Sequence, residues 1–413
     1  MQPSQRSRAS AQPRPPFTLR SAAFSPDAFF DNWNPRRALP AEETDDAADN
    51  AGGRNDFRAA VVRAFNLKPD DDYVYHATAS VTLAQVQQAL NAGRKGGLHA
   101  WYRDQDGNEI EPPSRADIDA YTSVFSPFTS TPKALTALGS NAKKGSVCAA
   151  VASNLQSKLL LPSSSSSPSN PAAPSLPPKQ KPSSSSSSTS STSPPNTPPN
   201  PYLDVWAWTC RALDWAGPTP DTPRHARHSH HVLPVLYHHF GCAVPSPDAI
   251  AVLRQLSRPA GRSRPRAVVE LGSGNGYWAY ALRRAGVPVV AVDNGDAAWR
   301  TVWIADTVVA DGASFVKKRG GGGGCVDDVL LLVYPPTEAG GFTEKVLRAY
   351  KGDAIAVVGT QNEDGYTGFK EEGLAQWMGR ERPEFELVMQ VPLPSFAGRD
   401  EALFVFQTKK EEG

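Results

Sequence analysis

The sequence predicts an α/β fold for the C-terminal half, with a mostly parallel sheet wound on both sides by helices. Two observations predict it. Val268-Val269-Glu270-Leu271 is an apolar strand. It is followed by the loop Gly272-Ser273-Gly274-Asn275-Gly276, a helical run, and a second strand, Val289-Val290-Ala291-Val292-Asp293. This is one βαβ unit with acids gathered near the carboxyl ends of its strands, where open α/β sheets bind ligands. Further on, Val329-Leu330-Leu331-Leu332-Val333 is a continuous apolar run, which suits a strand covered on both faces of a parallel sheet.

The remaining elements follow in order. Thr307 to Gly312 reads as a third short strand ending in Asp311 and Gly312. Lys317-Lys318-Arg319 and the glycines 320 to 324 form an exposed loop. The apolar run ends in Tyr334-Pro335-Pro336, Thr343 to Tyr350 is helical, and Asp353 to Gly359 is a fifth strand. Glu384 to Val391 and Ala402 to Gln407 are two closing strands with no full helix between them. Upstream, Ser246-Pro247-Asp248 opens a helix: a capping hydroxyl, a proline in the first turn, and an acid that complements the dipole.

Glycines 272, 274 and 276 adopt positive φ readily and let a ligand approach the main chain. A dinucleotide fingerprint, G-x-G-x-x-G/A, would place its third small residue at Tyr277. Tyr277 and Trp278 are bulky there and fit a ligand without a pyrophosphate. The pattern E-x-G-x-G-x-G resembles the first motif of class I S-adenosylmethionine-dependent methyltransferases. The resemblance implies a seven-stranded Rossmann-like sheet with an antiparallel last strand, S-adenosyl-L-methionine as cofactor, and methyl transfer as the reaction.

It also implies roles by position. Glu270 lies beside the loop, and Gly272, Ser273, Gly274, Gly276 and Tyr277 hold the methionine and ribose part. Asp293, with Asn294, accepts from the ribose hydroxyls, a task suited to a carboxylate. Asp311 and Gly312 meet the adenine, and Tyr334 stands beside the methyl group. Plain alternatives stay open: a strand-to-helix turn for the loop, a surface turn for Asp311, and a pocket wall for Tyr334. Amino-directed members of the family carry an acid, Asn or Ser before Pro-Pro and an aromatic after it. Tyr334 and Thr337 depart from that pattern, against an adenine or amide target.

From near Tyr202 to the end, the helix at Ser246, Gly-Tyr-Trp in the loop and Leu-Leu-Leu-Val-Tyr-Pro-Pro resemble a group of microbial methyltransferase-like proteins. Tyr334 and His239 are the candidate catalytic residues, with Glu363 also expected to line the site. Two other functions are weighed. One is a non-catalytic binding protein that keeps the fold. The other, disfavoured by Tyr277, is an NAD-dependent oxidoreductase.

The chain has 413 residues, a formal net charge of +1 and four widely spaced cysteines. The charge gives no reason to expect nucleic acid, and no cysteine pair has metal-ligand spacing. No apolar run reaches the ~18 residues that span a bilayer. The expected partner is a small-molecule or protein methyl acceptor, and the expected compartment is the cytoplasm. An arginine-bearing, acid-free N-terminus leaves mitochondrial targeting as the alternative.

Four regions are expected. Residues 1–50 form a disordered tail, and 51–160 a small α+β domain. Residues 161–201 form a Ser/Pro-rich disordered linker, and 202–413 the methyltransferase-like domain. Six of the eight histidines fall between His225 and His239. No acid lies between Asp221 and Asp248, so the cluster is read as a helix rather than a metal site. His238 or His239 is placed at the cofactor mouth as a general base. In the N-terminal half, helices are expected at 59–65 and 83–92 and a strand at 73–78. Phe128-Thr129-Ser130-Thr131 faintly resembles the Ser-Thr-Ser strand of enterotoxin-like ADP-ribosyltransferases. His76 occupies that family's arginine position and no acid follows Asp119 before the linker, so this activity is not expected.

Overall fold

A computed structural model describes residues 24–39, 56–162 (apart from 78 and 105), 174–176, 199–221, and 231–409 (apart from 338–340, 361–366 and 370–371). Glu363, the histidines at 225, 228 and 230, the first part of the N-terminal tail and most of the linker lie outside the described residues.

The sheet has seven strands: β1 (Val268–Leu271), β2 (Val289–Asp293), β3 (Val308–Val309), β4 (Val329–Val333), β5 (Ala354–Thr360), β6 (Phe385–Pro392) and β7 (Glu401–Thr408). Their order is β3-β2-β1-β4-β5-β7-β6. The pairs from β3 to β5 are all parallel, and β7 runs antiparallel to both neighbours. This is the Rossmann-like sheet with an inverted last strand that the loop motif implied.

Helices α1 (Leu233–Phe240), α2 (Pro247–Ser257), α3 (Tyr277–Arg284), α4 (Gly312–Lys318), α5 (Phe342–Ala349) and α6 (Leu374–Glu381) accompany it. Every residue of β1 and β5 is buried. Such central strands are covered on both faces, so apart from Glu270 in β1 and Thr360 in β5 they read as apolar runs rather than alternating ones. α2 begins where its caps put it, with Ser246 Oγ accepting from Ala249 N at 3.1 Å. Asp248 does more than complement the dipole. It is buried and accepts a hydrogen bond from Thr131 Oγ1, tying the helix Thr131–Asn141 to α2.

The segment read as a separate domain over 51–160 holds the helices Phe57–Ala64, Leu83–Ala92, Arg115–Ser123, Thr131–Asn141 and Val147–Lys158. The strand expected over 73–78 is confined to Tyr75–His76, because its partner Ser80–Val81 offers only two residues to pair. Phe128-Thr129-Ser130 is a turn, and Thr131 starts a helix with proline in its first turn, so no Ser-Thr-Ser strand forms. The buried side chains of this half, from Phe57 through Tyr75 and Trp101 to Leu155, share one apolar cluster with Trp206, Phe240, Val268 and Val405. Among the described residues no helix is long and apolar enough to cross a membrane.

Candidate cofactor and acceptor site

The strand order reverses beside β1. The chain steps outward from β1 through β2 to β3, then crosses back to β4 on the other side. The loops after β1 and β4 therefore leave the sheet at a switch point, the place on the carboxyl edge where open α/β sheets bind ligands. Three sequence candidates border that edge: Glu270 near the end of β1, Asp293 at the end of β2 and Tyr334 just after β4.

The glycine loop turns tightly, with φ of 71°, 56° and 81° at Gly272, Gly274 and Gly276. Gly272 N and Ser273 N both donate to Val292 O, at 2.8 and 3.1 Å. Asp293 clamps the other side, its Oδ2 accepting from Gly274 N and its Oδ1 from Gly295 N, both at 2.9 Å. Each carboxylate oxygen keeps a further lone pair for a second donor. The loop and the end of β2 are thus one hydrogen-bonded unit.

The glycines answer to more than a ligand. A Cβ on Gly274 would lie 2.9 Å from Trp299 Cζ2, and one on Gly276 would collide with Ile304. At Gly272 the nearest atom, Phe342 Cζ, is 3.9 Å away. At Gly272 the left-handed φ of 71° is what calls for glycine, and the space beside its main chain is open. At the other two positions the segment 299–304 makes the close approach.

Three buried polar atoms here have no hydrogen-bond partner: Glu270 Oε2, Ser273 Oγ and Asn275 Nδ2. Burial pushes the Glu270 carboxyl up to about 8, with the nearby Asp293 charge adding to the rise. An acid near the end of β1, and a hydroxyl and an amide N–H group in the loop after it, all left unpaired, match a ligand end bearing both an ammonium and a carboxylate. The amino-acid end of S-adenosylmethionine has that chemistry, so the residues fit the cofactor.

Several candidates stand elsewhere than expected. Tyr277 does not face a ligand: its ring is in the core, edge-on to Tyr202 and Phe240. Its hydroxyl donates to Asn200 Oδ1 and accepts from Tyr202 N, both at 3.2 Å. Trp278 is likewise buried, donating Nε1–H to Ala243 O at 2.8 Å. Asn294 is exposed and closes a local turn with Asp296. Asp311 is exposed and caps α4, its Oδ1 accepting from Ser314 N at 2.8 Å, and hydrogen bonds from the Ser314 side chain and then its backbone hold the carboxyl below the usual range. Gly312 is buried beneath the Phe342 ring.

His239 is not placed to act as a general base. It is 1% exposed, with Nε2 3.0 Å from Tyr75 Oη, Nδ1 2.7 Å from Thr301 Oγ1, and its ring stacked on Phe65. Both nitrogens are engaged, and burial holds its pKa well below the usual value. His238 is also buried and donates Nε2–H to His76 O at 2.7 Å.

Tyr334 sits at φ 54°, uncommon for a side-chain-bearing residue. Its amide donates to Val358 O at 2.7 Å. Its hydroxyl accepts from Arg399 Nη1, also at 2.7 Å. Arg399 reaches over from the β6–β7 connection, its guanidinium carbon 5.2 Å from the Tyr334 ring centroid. Cys242 and Tyr237 share a hydrogen bond nearby, and the Tyr237 ring stacks on Trp299 at 5.3 Å. Burial raises the Cys242 thiol to about 11 and moves the Tyr334 phenol up as well. Glu401, with Oε1 unpartnered, is raised to about 7 by burial.

Trp299, Tyr237, Phe342 and Arg399 escaped the sequence reading because none belongs to a motif. The one available signal was that Tyr237 lies in the last turn of the helix leading into Gly241, ahead of the glycine loop. Among the described residues no three His, Cys, Asp or Glu side chains gather as a metal site.

No protein family's sequence profile matches the chain, and no curated protein matches it. The chain is similar to solved methyltransferase structures. A S-adenosylmethionine-dependent methyltransferase from Anabaena variabilis is 11% identical over 35% of this chain and 77% of that one, with a TM-score of 0.26. A putative RNA methyltransferase from Pyrococcus horikoshii is 14% identical over 42% and 88%, with a TM-score of 0.29. The 1,6-didemethyltoxoflavin-N1-methyltransferase of Burkholderia thailandensis, solved with S-adenosylhomocysteine, is 13% identical over 36% and 72%, with a TM-score of 0.22.

Proposed function

We infer that the chain binds S-adenosylmethionine at the carboxyl ends of β1 and β2 and transfers its methyl group to an acceptor held beside Tyr334. The observation that carries this reading is the set of unpartnered polar atoms on Glu270, Ser273 and Asn275. They lie in an E-x-G-x-G-x-G loop at the switch point of the sheet. The cofactor supplies a methyl group on a sulfonium that leaves as a neutral thioether.

The chain's own residues bind and orient. Glu270 gives up its proton and pairs with an ammonium, and Asp293 accepts from ribose hydroxyls while holding Gly274 N. Tyr334, fixed by Arg399, forms the floor under the acceptor. Holding the partners in line in a site closed to water is the larger part of the rate enhancement asked of such a protein. The Tyr334 phenol and the Cys242 thiol keep their protons at neutral pH, so neither serves as the proton acceptor.

Binding without transfer is the second reading, and one observation favours it: His239, the sequence candidate for a base, is sealed in the core. The oxidoreductase reading loses its sequence objection, because Tyr277 and Trp278 point away from the loop, and NADH therefore belongs among the controls. The test is transfer of labelled methyl groups from S-adenosylmethionine to fractionated extract, with Gly274→Arg as the blank. A labelled product that vanishes in the blank supports transfer. Saturable S-adenosylmethionine binding with no labelled product favours the second reading.

A further inference from the structure

The wall facing the glycine loop is built by the connection between β2 and β3, and that connection is held from outside the motif-bearing half. Trp299 lies against Gly274 and stacks on Tyr237. The next residue, Arg300, points the other way. Its Nη2 donates to Asp71 Oδ1 at 2.6 Å, with the two side chains only 9% and 11% exposed. Its guanidinium carbon stands 4.1 Å from the Tyr73 ring centroid and 5.8 Å from that of Tyr75.

A charge-assisted pair so enclosed has little side-chain freedom, and a stacked guanidinium has less. Two further ties fix the same stretch. Thr301 N donates to His238 O at 3.2 Å, and Trp303 N donates to Asn275 O at 2.8 Å. The Tyr75 and Thr301 hydroxyls both bond His239. Residues 71–76 therefore grip the wall segment directly at Arg300 and indirectly through His239.

We propose that Asp71 is a positioning residue: through its pair with Arg300 it holds Trp299 against Gly274, so that the N-terminal segment 71–76 sets the shape of the cofactor site. Trp299 and Tyr237 are then cofactor-wall residues that no motif reveals. The affinity part of this proposal rests on the S-adenosylmethionine reading above, whereas the Trp299 part rests on geometry alone.

Asp71→Asn keeps the size of the side chain and removes the charge. Asp71→Glu is the conservative rescue. Arg300→Lys keeps the charge and loses the planar stack, and it serves if Asp71→Asn does not fold. Two quantities are measured on the full chain. One is S-adenosylmethionine affinity by calorimetry. The other is acrylamide quenching of Trp299, isolated as the difference from a Trp299→Phe background. The expected result for Asp71→Asn is affinity reduced tenfold or more together with a more quenchable Trp299, both largely restored in Asp71→Glu. A folded Asp71→Asn with wild-type quenching of Trp299 overturns the proposal. Changed quenching in a chain whose wild type binds no S-adenosylmethionine supports the positioning of Trp299 and sinks the cofactor reading instead.

Discussion

Glu270 shows how one residue ties stability to function. Its carboxyl titrates near 8 in the fold against 4.5 when solvated. Between those values the native chain holds a proton that the unfolded chain has lost, so stability falls as pH rises through that window and is unaffected below it. Glu401, raised to about 7, contributes with the same sign. Melting temperature should therefore decline between pH 4.5 and 8, and Glu270→Gln should decline less steeply; parallel slopes would contradict a neutral buried Glu270. Ligand binding should show the reverse trend, strengthening as pH approaches 8, because a cationic partner needs the carboxylate. At Gly276, φ 81° and the Ile304 side chain act together. Gly276→Ala should cost about 1–3 kcal/mol in urea unfolding, from overpacking added to left-handed strain. Single-residue roles were the least legible from sequence. His239 and Tyr277 had suitable chemistry near suitable motifs, but the direction of a ring is set by distant partners, here Tyr75 and Tyr202.

Elements were legible where a local rule wrote them. α2 announces itself by Ser-Pro-Asp, and Ser246→Ala should cost about 1 kcal/mol, the usual loss for a capping hydroxyl. β1, β2, β4 and β5 are apolar runs long enough to be buried on both faces, so their positions follow from composition alone. The pair Tyr75–His76 and Ser80–Val81 has no such signature, since a strand needs a partner and sequence does not say how long that partner is. Phe128 to Thr131 misled for a related reason: short hydroxyl residues serve equally in strands and ahead of helices. The loop and β2 act as one element through Asp293. Asp293→Ala should speed amide exchange at Gly274 and Gly295, while Asp293→Asn, which keeps one acceptor, should leave Gly274 or Gly295 protected.

At the scale of the whole molecule, the two halves are interlocked by buried polar ties as well as apolar contact. Trp101 donates to Leu213 O at 2.7 Å, Tyr102 Oη donates to Gly217 O at 2.8 Å, and Asn154 Nδ2 donates to Pro218 O at 2.9 Å. Helix Pro201–Ala212 is buried between the N-terminal helices and the β6–β7 connection. A fragment of residues 202–413 would uncover Trp208, Phe240 and Trp303, and it should fail to melt cooperatively by near-ultraviolet circular dichroism. The composition break at the linker suggested two regions, but it said nothing of how their apolar surfaces meet. Binding experiments therefore belong on the full chain. The measurement closest to the central claim is calorimetric titration of the full chain with S-adenosylmethionine, beside Gly274→Arg. The account predicts saturable binding at one site, lost in a variant that still melts cooperatively. No saturable heat from the folded wild type, or equal binding by Gly274→Arg, would contradict it.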